Sequence, residues 1–165
     1  MLTDRSKLPF RRNCEGYFIT NSGKILAQDT GKGYLVFPGG GIDKGEHADS
    51  AVVRETFEET GAIIKLPIND LGTIQFFWDE DWIKTEKQKR RFKKYKGEEM
   101  HFFFGIIEEF KESQEPHEDY WKGEKLMPIS KVISIIEKEK PFPKNMKIYR
   151  EAQLRFLNKI LNIKD

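Results

Sequence analysis

Cysteine is nearly absent from this chain. Cys14 stands alone among 165 residues, which excludes an intramolecular disulfide framework. One buried thiol is ordinarily a small apolar filler, and we expect Cys14 to fill a strand in that way. Histidine is scarce too: His47, His101 and His117 are each isolated and show no metal-ligand spacing with cysteine. Surface or packing roles are expected for all three, with His101 set apart because it heads a strand just after a basic segment. No stretch approaches the roughly 20 apolar residues that span a bilayer, and Met1–Lys7 has no apolar signal core. A soluble, cytoplasmic protein with no membrane partner is expected. Internal repeats and long low-complexity linkers are also missing, and the length suits a single domain over residues 1–165.

What the chain does have is charge in an unusual place. Gly39-Gly40-Gly41 precedes a segment carrying Arg54, Glu55, Glu58 and Glu59. Val52, Val53, Thr56, Phe57 and Thr60 are expected on one side of a helix from about His47 or Asp49 to Thr60. Asp49 or Ser50 serves as N-cap or first-turn residue and Gly61 as the stop. Glu55, Glu58 and Glu59 then share the opposite face at i, i+3 and i+4. Like charges at that spacing cost about 0.2–0.5 kcal/mol, and anions in the last turn oppose the helix dipole. A solvated face is the ordinary explanation of helical glutamates. It accounts poorly for a triple with no lysine among them. Arg54 can reach Glu58 at i+4. Hard carboxylate oxygens without histidine or cysteine select Mg²⁺ or Mn²⁺, and such an ion suits hydrolysis or transfer at phosphorus.

These residues resemble a known pattern, the Nudix box: Gly, five residues, Glu, seven residues, Arg-Glu, apolar, any, Glu-Glu, any, Gly, apolar. Gly40, Glu46, Arg54, Glu55, Glu58, Glu59 and Gly61 fill its fixed positions, and Phe37-Pro38-Gly39 leads into it. Thr56 departs from the usual aliphatic residue, a packing variation, and Ala62 is a small final apolar residue. The resemblance implies a metal-dependent pyrophosphohydrolase acting on a nucleoside diphosphate derivative or a similar small phosphorylated compound. It makes Glu58 and Glu59 the principal metal ligands and Glu55 a further ligand or the residue that activates water. Arg54 orients a glutamate, the Gly39 carbonyl is a candidate ligand, and Gly40 and Glu46 stabilise the loop. A general base outside the box is open among Glu98, Glu99, Glu115, Glu118 and Asp119.

Periodicity places strands at Gly16–Thr20, Lys24–Ala27, Tyr34–Phe37, Ile63–Leu66, Leu71–Trp78 and Met100–Glu108, and helices at Ser130–Glu139 and about Lys144–Leu161. Helices either side of a mixed sheet make an α/β fold, and the resemblance implies the same Nudix-type α/β/α sandwich. The last helix is expected to pack on the core. Between Lys84 and Lys96, eight of thirteen residues are Lys or Arg and one is Glu, although the whole chain carries only +2. This basic insertion, at about 79–98, is either a solvated loop or hairpin tip or a clamp. In the second case Arg90, Arg91, Lys93 and Lys94 would meet a polyphosphorylated substrate or an RNA 5′ end. Trp78, Trp82 and Trp121 are open between base stacking and packing. The expected activity is hydrolysis of a diphosphate linkage by activated water. The alternatives are an RNA 5′-pyrophosphohydrolase and a non-catalytic nucleotide sensor.

Overall fold

Three consecutive phenylalanines, Phe102 to Phe104, lie in β8 (Gly97–Phe110), the strand that orders the sheet. The computed structural model describes residues 4–31, 34–111 and 117–164. β1 (Phe10–Ile19) runs parallel to β8, in register from Phe10↔Gly97 to Ile19↔Ile106. On the other side of β8, β7 (Asn69–Phe77) pairs antiparallel with its first half and β6 (Ala62–Ile64) with its second. Beyond β1 lie β2 (Lys24–Leu26), β9 (Leu126–Pro128) and β5 (Gly39–Gly41), while β3 (Gln28–Asp29) and β4 (Leu35–Val36) form a separate pair. β5 pairs with Asn13, Cys14 and Glu15 of β1.

Alternation along the two central strands fills both sides of the sheet. Tyr17, Ile19 and Phe102 face α3 (Ile129–Glu137) and α4 (Lys147–Lys164), through Val132, Ile136, Leu157 and Ile160. Cys14, Phe18 and Phe103 face α1 (Ala48–Thr60), through Ala51 and Val52. The result is the α/β/α sandwich with a mixed sheet, and α4 packs on the core as expected. Burial pushes the Cys14 thiol up to about 12, which leaves it an inert filler.

Local details differ from the sequence reading. His47, not Asp49 or Ser50, occupies the N-cap of α1, and its side chain makes no capping bond. Asp49 takes the first-turn place that was its other expected role, where the dipole favours an anion. The buried stripe is Ala51, Val52, Thr56 and Thr60, so Phe57 is turned out and 43% exposed. Thr56 is fully buried, and its hydroxyl donates to the Val52 carbonyl at 2.6 Å, so the extra polar atom is satisfied. The basic segment is a helix, α2 (Glu86–Lys94), rather than a loop. Trp78 and Trp82 stack on each other at 3.8 Å, so one face of each ring is taken up by packing.

Phe102 touches the rings of Tyr17, Tyr149 and Phe156 from the middle of the sheet. Phe102→Ala should lower unfolding free energy by about 3–5 kcal/mol in urea denaturation. A loss below about 1 kcal/mol would show that this ring does not anchor the layers.

Candidate active site

Strand β5 consists of glycines, and at Gly39 nothing larger fits. Gly39 has φ +155°, and a Cβ there would lie 2.0 Å from the Cys14 carbonyl oxygen. A Cβ on Gly40 would lie 2.9 Å from Cδ of Glu55. The strand therefore approaches β1 on its edge and the carboxylates of α1 on its face. Gly61 ends α1 at φ 76°, donating its N–H to the Phe57 carbonyl at 2.9 Å.

One cation sits among the acids. The Arg54 guanidinium grips Glu46 with two bonds, Nε to Oε2 at 2.9 Å and Nη2 to Oε1 at 3.0 Å. Its Nη1 donates to Glu55 at 3.2 Å and Glu58 at 3.3 Å, and Asp43 lies 3.6 Å away. Glu46 also accepts the Asp43 backbone N–H at 3.1 Å, which ties the loop to α1. The Glu46 bonds hold the Arg54 proton above its ordinary affinity, and they hold the Glu46 carboxyl below its own.

Glu59 lies deepest. Its Oε1 accepts the Gly39 N–H at 2.9 Å, and the Trp121 backbone N–H donates to the Glu59 carbonyl at 2.7 Å. Burial pushes its carboxyl up to about 8, with the charges of Glu55 and Asp119 adding to the effect. Burial likewise raises Glu55, with Glu58 and Asp119 contributing.

Among the described residues, no three Asp, Glu, His or Cys side chains converge as a ready metal cage. The cause is local: Nη1 of Arg54 stands between Glu55 and Glu58, and Glu59 is drawn to Gly39. The donor set still fits a hard divalent cation. It is carboxylate oxygen throughout, and its most buried member is disfavoured as an anion until a cation arrives.

Of the proposed bases, Asp119 is the one whose charge reaches both Glu55 and Glu59. Glu98 instead binds Arg11 at 3.1 Å and Asn13 at 2.5 Å. Glu99 binds Gln75 and His101, both at 2.9 Å, and has Arg12 nearby. Glu118 is exposed, and Glu115 lies outside the described residues. Arg90, Arg91, Lys93 and Lys94 are not beside the carboxylates; they line a separate cleft with Arg11. Trp121, left open between stacking and packing, is a buried neighbour of Glu59, and Arg11 is a neighbour that sequence reasoning missed. Only the alternation of Arg11 and Asn13 along β1 could have signalled the latter. A cleft of about 920 Å³ between α3 and α4 shares no residue with the box.

A family model described as the NUDIX domain matches residues 11–149. The chain belongs to the NUDIX family. An RNA pyrophosphohydrolase of Sphingopyxis alaskensis is 41% identical to it over 64 residues, 36% of this chain and 40% of that protein. The chain thus spans two fifths of the length of this curated relative. Three solved structures share the Nudix fold. A pyrophosphohydrolase of Bacillus subtilis has a TM-score of 0.58 and 21% identity, covering 99% of this chain and 89% of that one. A NUDIX hydrolase from Nitrosomonas europaea has a TM-score of 0.55 and 17% identity, covering 87% and 89%. A MutT protein from Methanosarcina mazei has a TM-score of 0.53 and 16% identity, covering 93% and 96%.

The raised Glu59 carboxyl has a thermodynamic consequence for this Nudix domain. Its value is about 8 in the folded state against 4.5 unfolded, so folding favours the protonated form. Without metal, stability should therefore fall as pH rises from about 4.5 to about 8. Thermal melts in EDTA across that window should show the fall, and Glu59→Gln should flatten it. Identical profiles for the two proteins would contradict the burial of this charge.

Proposed function

We propose that this Nudix protein hydrolyses a diphosphate linkage in a nucleoside diphosphate derivative or a similar polyphosphorylated compound, releasing two phosphorylated products. The observation that supports it best is the pair of part-buried carboxylates, Glu55 and Glu59, held against a strand without side chains. Stability alone gives no reason to collect these charges.

In this reading Glu58 and Glu59, with Glu55 and the Gly39 carbonyl, would hold Mg²⁺ or Mn²⁺. The ion would neutralise phosphate charge and polarise the attacked phosphorus centre. Arg54, locked by its two bonds to Glu46, orients Glu55 and Glu58. Glu55 is part-buried and its carboxyl is raised, which suits it to take the proton of the attacking water at an Oε atom. Asp119 stands close enough to influence that proton through its charge. Gly40 leaves the space in which Glu55 sits.

A second reading is an RNA 5′-pyrophosphohydrolase. The observation favouring it is the run of cations on α2, which reaches the box strand through Arg11. The matching segment of the Sphingopyxis alaskensis relative points the same way.

A Mg²⁺-supported screen of nucleoside triphosphates, dinucleoside polyphosphates, nucleotide sugars and 5′-triphosphorylated RNA tests these readings. Glu58→Gln and Glu59→Gln should each lower kcat by about 10²-fold or more, as losses at such electrostatic sites do, with no loss of fold stability. Near wild-type turnover in either variant would remove that residue from the site. Metal-dependent binding without products from any compound would leave the protein a sensor.

A further inference from the structure

Helix α2 is costly to build. It is nine residues long and buries none of them, and helices of that length are marginal in water. Lys87, Arg90, Arg91 and Lys94 repeat at i, i+3, i+4 and i+7, so like charges repel along one stripe. The helix is nevertheless fastened at both ends. Thr85 and Gln88 form a capping box at its start. At its end Arg5 donates to the Phe92 and Tyr95 carbonyls and lays its guanidinium 3.3 Å from the centre of the Phe92 ring. Phe92 and Tyr95 pack on the core and turn the cationic stripe away from it.

That stripe lines a cleft of about 490 Å³, closed on the sheet side by Arg11 of β1. Among the described residues, no carboxylate lies within ion-pair distance of Lys87, Arg90, Arg91, Lys93 or Lys94. Arg11 has one, Glu98, at 3.1 Å. Arg91 is half-buried, and burial together with the charge of Arg11 disfavours its cation. Two guanidinium groups therefore oppose each other in a partly dry cleft with a single carboxylate between them.

The cleft also communicates with the box. Nη2 of Arg11 lies 3.0 Å from where a Cβ of Gly41 would stand, while the Cβ position of Gly40 points at Glu55. Adjacent residues of one glycine strand thus face the cations and the carboxylates. β5 pairs only with β1 among the described strands, and its Gly39 N–H is taken by Glu59 of α1, so the short strand links the two clusters of charge. From Lys87 to Lys94 the stripe extends over about 10 Å. Such a length exceeds what the terminal phosphates of one nucleotide require and suits a repeating anion.

We propose that the cleft between α2 and β1 is a track for single-stranded RNA, in which Arg11, Arg90, Arg91 and Lys94 contact phosphodiester groups downstream of the 5′ end. This rests on the second reading above and assigns its substrate contacts to residues outside the box. Binding is sequence-independent and salt-sensitive, since each phosphate neutralised by a cation releases a counterion.

The test separates the track from the chemistry by using a ten-nucleotide RNA with a 5′-hydroxyl, which offers no terminal diphosphate. Its affinity is read by fluorescence anisotropy of a 3′ label in the presence of Mg²⁺ from 50 to 200 mM salt. The double variant Arg90→Glu/Lys94→Glu should weaken binding about tenfold or more and flatten the log–log salt slope by about 1.4, the value for two lost contacts. Lys131→Glu/Lys159→Glu makes the same change in net charge on exposed positions of α3 and α4, and should leave affinity within about twofold. Equal weakening by both variants, or by neither, overturns the track. Selective weakening in a protein that hydrolyses no triphosphorylated RNA upholds the track and removes the RNA hydrolase reading alone.

Discussion

Because Gly39, Gly40 and Gly41 carry no side chains, β5 can lie against β1 while Glu55 and Glu59 of α1 close on it from the other side. That close approach is the constraint on which the rest of the site depends. It brings Glu59 to the Gly39 N–H, removes both carboxylates from water and leaves room for Glu55 over Gly40. An alanine at Gly39 would collide with the Cys14 carbonyl, and one at Gly40 would displace Glu55. The glycines are thus a requirement of packing and, through it, of charge placement.

Electrostatics then sets the character of the site. Arg54 is the cation in ion-pair contact with Glu46, Glu55 and Glu58, and its firmest partner is Glu46. The inner carboxylates are left short of positive charge, and burial raises Glu55 and Glu59 for that reason. Burial disfavours their charged forms, Glu59 most, so a hard divalent ion beside them would offset that cost. The basic helix on the other side of the glycine strand has the opposite problem. Among the described residues its cations make no ion pair with a carboxylate, and the proposed RNA would supply the missing anions.

Much of this was legible in the sequence, for identifiable reasons. The carboxylate helix and its Gly61 stop follow from spacing and from the αL preference of glycine. The Phe102–Phe104 run marks a strand buried on both faces, and the glycine cluster marks a close approach. Other features depend on tertiary partners. Phe57 has an apolar side chain, yet the stripe of Ala51, Val52, Thr56 and Thr60 decides which face meets the sheet, and Phe57 is left outside. The basic segment is made of good helix formers, but like charges along one stripe oppose the helix they would form. Its capping box was present in Thr85 and Gln88, but the Arg5 cap lies about 90 residues away in sequence. Asp119, Trp121 and Arg11 reach the site or its rim through chain crossings that periodicity does not encode.

The central claim is that the acids of α1 gathered against β5 hold a divalent cation. Anomalous scattering from Mn²⁺ in crystals of the protein locates the ion directly. The account predicts a peak ligated by Glu58 and Glu59, with the Gly39 carbonyl or Glu55 completing the protein ligands and Nη1 of Arg54 moved from between Glu55 and Glu58. A saturated crystal with no peak there, or with Mn²⁺ held only at Glu98 or Glu99, would contradict it.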